Sequence, residues 1–86
     1  MPEISRFYGI VVYIYYNDHP PAHFHAVYGE YEALIDIDTL ALLAGYLPPR
    51  ALGLVVEWAT IHQLELLKVW NQAKRYQKLD KIEPLK

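Results

Sequence analysis

The chain has 86 residues, of which 53 % are hydrophobic and 21 % are charged, and its mean hydropathy is zero. This length accommodates one domain, so we expect residues 1–86 to form a single unit, and the composition excludes an intrinsically disordered chain. The net charge of −2 gives no general attraction to nucleic acid, and the absence of cysteine excludes disulfides and thiolate metal sites.

The first predicted element is a strand over Arg6–Tyr16, because this segment is rich in β-branched and aromatic residues. Both of its faces are apolar, which is typical of a central strand, a strand covered on both sides, or an interface. Gly9 interrupts the pattern and predicts a β-bulge.

A hairpin is predicted after a loop at residues 17–21, where Asn and Asp favour a turn and two prolines lack a backbone donor. Its strands, Ala22–Tyr28 and Tyr31–Asp38, flank Gly29-Glu30, which indicates a type II′ turn. The register that this turn fixes places apolar side chains on one face of both strands and polar side chains on the other.

The second half of the chain is predicted to be mainly helical. Residues 40–46 indicate either a fourth strand or a helical turn, which Gly45 ends. Two prolines then suit the first turn of a helix, and apolar residues at steps of three and four extend it over residues 48–77. An irregular tail is expected over residues 78–86. The sequence therefore predicts an α+β domain, an antiparallel sheet of three or four strands packed on one long C-terminal helix.

A second apolar patch lies on the predicted helix, outside its core stripe. It consists of Leu54, Trp58 and Ile61. Such a patch predicts contact with a protein partner or with a second copy of the chain, in a homodimer. The alternative is that the first strand or the tail covers it.

The sequence also bears on location. The longest runs without charged residues, 7–17 and 39–49, span 11 residues each, whereas a membrane-spanning helix needs about 20. The beginning, Met1-Pro2-Glu3, lacks the basic and apolar regions of a signal peptide. We therefore expect no membrane association and a cytoplasmic location.

Charge is distributed unevenly along the chain. Residues 1–46 hold one basic residue and six acidic ones, for a net −5, whereas residues 47–86 hold seven basic and four acidic ones, for a net +3. A basic C-terminal segment of this kind is either a phosphate contact or a solvated helix end.

Three histidines lie between positions 19 and 25. His23 and His25 alternate along a predicted strand, so both imidazoles share one face of the sheet. His19 lies on the preceding loop beside Asp18, and the predicted register places Asp36 directly opposite His23. Three interpretations of this cluster remain open.

The first interpretation is acid–base catalysis without a metal or other cofactor. His23 and His25 would transfer protons, and Asp36 would orient His23. Arg6, the one cation in the first 46 residues, would hold a phosphate. Further substrate contacts would come from Tyr8, Tyr16 and His19. This set suits cleavage of phosphodiester bonds in RNA.

The second interpretation is a metal site, in which His23, His25 and a loop residue, His19 or Asp18, bind Zn²⁺ or a similar divalent ion. The third is structural: His23 and Asp36 form a cross-strand pair that only satisfies hydrogen bonds. The spacing of the histidines is compatible with each of these.

Several motifs follow one another along nearly the whole chain. They are Pro2-x-Ile4-Ser5-x-Phe7-x-Gly9-Ile10, Asp-His-x-Pro-x-His-Phe-His at residues 18–25, Tyr28-Gly29, Ile35-Asp36, Leu47-Pro48, Trp58 and Lys81-Ile82-x-Pro84-Leu85. Together they resemble a small bacterial family, domain-of-unknown-function family 4160. The chain departs from that family at residues 40–44, where relatives usually carry a Gly-Glu turn and more polar residues.

The resemblance implies a genomic context. Members of that family are often encoded beside a second small protein, in an arrangement similar to a type II toxin–antitoxin pair in which this family takes the toxin's place. We therefore expect a toxin-like protein, a metal-independent ribonuclease, with a small antitoxin-like partner. The alternatives are a non-catalytic protein-binding module and a metal-dependent hydrolase.

Overall fold

The structure, a computed structural model, describes residues 3–86; the expectations that rest on Met1 and Pro2 lie outside the described residues. Within residues 3–86 there are five strands and two helices. They are β1 (Glu3–Phe7), β2 (Ile10–Tyr13), β3 (His23–Tyr28), β4 (Tyr31–Asp36), β5 (Leu42–Gly45), α1 (Pro49–Ile61) and α2 (Gln63–Lys74). The strands form one antiparallel sheet in chain order, so the α+β class and the antiparallel sheet are confirmed.

The predicted first strand is in fact two strands, β1 and β2, joined at Tyr8 and Gly9. Both residues have positive φ angles, 50° and 79°, which is the combination of a type I′ hairpin turn. The expected bulge at Gly9 is therefore wrong. The sequence did not predict this turn, because a tyrosine seldom adopts a positive φ.

The hairpin of β3 and β4 has the predicted register, with Phe24 opposite Ile35 and His23 opposite Asp36. Gly29 in its turn has a φ of 60°, as the first residue of a type II′ turn requires. Phe24 and Ile35 are fully buried on the helix-facing side of the sheet. A shift of the strand pairing by one residue would turn one of the two strands' apolar side chains to the other face of the sheet. The alternation of apolar and polar residues therefore specifies this register.

Strand β5 confirms that residues 40–46 contain a further strand. It pairs with β4, and Gly45 lies opposite Ala33 with a φ of 80°. A Cβ atom at position 45 would lie only 2.1 Å from the backbone oxygen of Glu32. Glycine is therefore required here both by backbone conformation and by close packing.

We expect Gly45→Ala to lower the free energy of unfolding by at least about 1–2 kcal/mol, the cost of the left-handed conformation alone. Gly53→Ala is the matched control, because Gly53 lies in α1 and a Cβ there meets nothing within 4 Å. That control should stabilise the chain by about 0.5–1 kcal/mol. Thermal and urea denaturation followed by circular dichroism measure both, and equal effects would contradict the argument.

The predicted helix over 48–77 is broken at His62 and ends at Lys74. His62 departs from helical geometry, with φ −112° and ψ 24°. Next to the break, the Gln63 amide donates to the backbone oxygens of Ile37 and Asp38, which docks the start of α2 on the segment that follows β4. Neither helix of the described chain combines the length and apolar character that a bilayer crossing requires.

The tail over residues 78–86 is irregular, as expected, but it packs on the body of the protein. The Ile82 amide donates to the Ile4 oxygen at 2.8 Å, and the Ile82 side chain is buried. The next residue, Glu83, accepts a hydrogen bond at 2.8 Å from the indole nitrogen of Trp58. The tail therefore completes the core beside α1.

The patch predicted as a partner interface is not a continuous surface. Trp58 is fully buried within the chain, where its ring packs on Phe7 and Phe24. Leu54 is half-buried, and only Ile61 is well exposed, at 64 %. Trp58 thus cannot contact another chain in this conformation, because the first strand and the tail cover it.

Candidate metal centre

Three polar side chains converge at one end of the sheet. One oxygen of Asp18, Oδ2, lies 3.2 Å from Nε2 of His23 and 2.8 Å from Nε2 of His25. His23 and His25 alternate on β3 and therefore share the face opposite Phe24. Asp18 comes from the loop that follows β2. Among the described residues, these three can offer ligand atoms that all lie within 4.8 Å of one another.

The second nitrogen of each imidazole already has a partner. Nδ1 of His23 lies 2.7 Å from the backbone oxygen of Pro21, and Nδ1 of His25 lies 3.0 Å from Oε2 of Glu32. A carbonyl and an ionised carboxylate can only accept hydrogen bonds, so we assign a hydrogen to each Nδ1. Both Nε2 atoms are then the ones that face Asp18.

This assignment leaves the hydrogens on Nε2 open, so both rings, one ring or neither can carry one. If one ring carries it, that ring donates to Asp18 and the other faces Asp18 with a lone pair. If both rings also carry a hydrogen on Nε2, two imidazolium ions lie 5.2 Å apart and donate to Asp18. If the rings are neutral, two nitrogen lone pairs and a carboxylate oxygen converge on one point. That is a ligand set for Zn²⁺ and similar divalent ions, and donation of the outer N–H to a carbonyl or carboxylate is the usual support of a metal-bound histidine.

The cluster is largely shielded from water. Only 7 % of His23 and 8 % of His25 is exposed, so the face of the sheet that carries both imidazoles is covered at this point. The Trp70 ring lies 5.3 Å from the His23 ring, and the Tyr15 ring lies 4.5 Å from the His25 ring. Burial, aided by the charge of Glu32, raises the pKa of Tyr15, which stays an uncharged phenol. The partly exposed Asp18 marks the solvent side of the cluster.

Helix α2 and the residues after it hold the Asp18 loop in place. Lys74 donates to the backbone oxygen of Asp18 at 3.0 Å, and its ammonium lies 5.3 Å from the centre of the Trp70 ring. Tyr76 donates to the side-chain oxygen of Asn17 at 2.8 Å. The loop that carries the carboxylate is thus fixed by contacts made far along the sequence.

Asp36 does not have the role predicted for it. It lies opposite His23 in the sheet, but its Oδ1 accepts hydrogen bonds from the backbone amides of Asp38 and Thr39, at 2.7 and 2.9 Å. Asp36 therefore stabilises the turn after β4, and Asp18 is the carboxylate beside His23. In the same way Asp18, rather than the exposed His19, completes the ligand set with the two histidines.

The other predicted substrate contacts are not part of the histidine cluster. Arg6 pairs with Glu3 at 2.9 Å, and this hydrogen bond holds the pKa of Glu3 below its usual range. Tyr8 lies in the exposed β1–β2 turn. The hydroxyl of Tyr16 donates to the backbone oxygen of Gln77 at 3.0 Å. None of these contacts joins the histidine cluster.

Several residues of the site were missed at the sequence level. Glu32 was detectable, because the predicted register already made it a diagonal neighbour of His25 on the same face. Trp70 and Lys74 were not detectable, because the approach of Trp70 to His23 and of Lys74 to the Asp18 loop depends on the direction of α2 after the break at His62.

Comparison with known proteins supports one assignment. The model of a family described as a domain of unknown function (DUF4160) matches residues 9–71, which is more than half of the chain and includes all three candidate ligands. No curated protein and no solved structure matches the chain. The chain therefore belongs to the DUF4160 family.

Proposed function

We propose that this protein is a metal-dependent hydrolase that cleaves phosphodiester bonds in RNA, with the metal held by Asp18, His23 and His25. The observation that carries the proposal is the convergence of both Nε2 atoms on one carboxylate oxygen while both Nδ1 atoms are occupied. Three protein ligands leave coordination positions for water, as in hydrolytic zinc sites. A bound metal would supply an activated water there.

The charges around the cluster support an anionic substrate. Lys74 borders the Asp18 loop: its exposed ammonium donates to the backbone oxygen of Asp18 at 3.0 Å and keeps further donors for a ligand. A phosphate that reaches the metal from the Asp18 side would meet this cation as well. Lys74 thus takes the role that the sequence suggested for Arg6, which is paired with Glu3.

We place this activity in the cytoplasm, in the toxin-like member of a two-gene pair with a small antitoxin-like partner. The support for this wider role is the resemblance of the motifs around residues 18–25 to that bacterial family. A metal-independent ribonuclease is the second candidate, since Asp18 also lies between two imidazoles that can exchange protons.

The experiment compares metal binding with RNA cleavage. Chain stripped with a chelator is titrated with Zn²⁺, Mn²⁺ and Co²⁺ by calorimetry, and cleavage of a labelled single-stranded RNA is followed with each ion. We expect one ion per chain and cleavage only in its presence. Cleavage that survives chelation would establish the metal-independent alternative, and absence of both binding and cleavage would refute both candidates.

The Glu32 carboxylate gives a further prediction. Glu32→Ala should weaken metal binding about 10–100-fold, the usual effect of losing an outer partner of a metal-bound histidine. Glu32 is exposed, so the fold should persist. Glu30→Ala, in the adjacent turn, is the matched acidic control and should leave affinity unchanged. Equal losses in the two variants would indicate a general charge effect instead.

A further inference from the structure

Two leucines of α2 are exposed on the side of the helix opposite its buried residues. Leu64 is 85 % exposed and Leu67 is 43 % exposed. We call this pair the leucine ridge. A concave surface lies on each side of it, one of about 460 Å³ bordered by Lys68 and Arg75, and one of about 440 Å³ bordered by Ala22, Ile37 and Asp38.

The charged residues beside the larger cavity are both basic. Lys68 has a weak surface pairing with Asp80 at 3.3 Å, and Arg75 has no side-chain hydrogen bond or ion pair within the described part of the chain. Residues 47–86 as a whole carry a net charge of +3. The ridge therefore combines exposed apolar surface with one weakly paired cation, Lys68, and one cation, Arg75, without a partner among the described residues.

We propose that the leucine ridge docks an acidic amphipathic segment of another protein. Apolar side chains of that segment would enter the cavities on the two sides of Leu64 and Leu67, and its carboxylates would pair with Arg75 and displace Asp80 from Lys68. Asp38 borders the opposite cavity, so the acidic end of the segment lies toward Arg75.

The charges select this occupant over two others. Among the residues that line the two cavities, a second copy would offer one carboxylate, Asp38, to two basic side chains, so positive charge would stay unpaired. A nucleic acid would pair with the basic residues but leave the leucine side chains without apolar partners. An acidic segment with spaced apolar residues satisfies both features of the ridge.

The test uses a display library of short random peptides selected on the full chain. We expect the enriched peptides to be acidic, with spaced apolar residues, and to bind more weakly as salt rises. The substitution Leu64→Ser/Leu67→Ser should weaken their binding by at least about tenfold. The matched control is Leu42→Ser/Leu43→Ser on β5, which removes two other exposed leucines and should change nothing.

Three outcomes would overturn the proposal. The first is that the enriched peptides are neutral or basic, or bind the Leu64→Ser/Leu67→Ser variant as tightly as the parent. The second is that the parent self-associates and that variant does not, which would assign the ridge to a second copy. The third is that a single-stranded RNA probe binds the parent, binds Arg75→Gln more weakly and binds the leucine variant unchanged, which would assign the surface to nucleic acid. The metal-site variants enter none of these measurements, so this result is independent of the proposed function.

Discussion

His25→Ala should bind Zn²⁺ more than about 100-fold more weakly than the parent chain, because the loss of a ligand exceeds the 10–100-fold cost of losing an outer partner. His25 is the ring of the cluster that lies between two carboxylates, at 2.8 Å from Asp18 and 3.0 Å from Glu32. Removing the imidazole also leaves the carboxylates of Asp18 and Glu32 without their shared hydrogen-bond partner. Calorimetric titration in competition with a chelator measures the change, and RNA cleavage should fall with it.

Two further variants make this result interpretable. His25 is buried, so circular dichroism must show that the alanine variant folds; Asp18→Asn removes the third ligand at a partly exposed position and avoids a cavity. His19→Ala is the matched control, because His19 is an exposed histidine of the same loop. If His19→Ala weakens binding as much as His25→Ala does, the ligand set of three histidines is correct and that with Asp18 is wrong.

Local patterns were sufficient for the centre of the fold. The β3–β4 hairpin followed from a glycine turn and from alternation on both sides of it, which depend on residues near one another in sequence. For the same reason His23 and His25 could be placed on one face, since a period of two is a property of any strand. Strands β1 and β2 could not be separated, because the turn between them contains Tyr8 in an unusual conformation.

The carboxylate of the site could not be chosen from the sequence. Asp36 is opposite His23 in the backbone pairing, but its oxygen is used by the turn amides that follow it. Asp18 reaches the imidazoles because Lys74 and Tyr76 hold its loop from the far end of α2. Contacts of this kind depend on where a helix points, and that direction is set by tertiary structure.

The direction of α2 depends on the break at His62, which periodicity conceals because apolar spacing continues on both sides of it. The two hydrogen bonds from Gln63 to the segment that follows β4 hold the start of the second helix in place. From there α2 carries Trp70 to the His23 ring and Lys74 to the Asp18 loop. One departure from a straight helix thus links the core, the candidate metal centre and the exposed leucine ridge.

Trp58→Ala should reduce the free energy of unfolding by about 3–5 kcal/mol, the range for removing a buried large aromatic ring. The Trp58 ring is fully buried, lies 5.2 Å from the Phe7 ring and 5.9 Å from the Phe24 ring, and donates to the Glu83 oxygen. A domain has a total stability of about 5–15 kcal/mol, so little of it would remain. Urea denaturation followed by circular dichroism measures the change.

Two controls separate packing from partner binding as the role of Trp58. Trp58→Phe keeps a ring but loses the hydrogen bond to Glu83, which is worth about 1 kcal/mol, so its cost should be much smaller than that of alanine. Ile61→Ala removes a side chain that is 64 % exposed, and should stay within about 0.5 kcal/mol of the parent. If, at low protein concentration, Trp58→Ala lowers the free energy of unfolding no more than Ile61→Ala does, the tail does not cover the indole. The original expectation of an interface at Leu54, Trp58 and Ile61 would then be restored, because an uncovered tryptophan requires another chain to bury it.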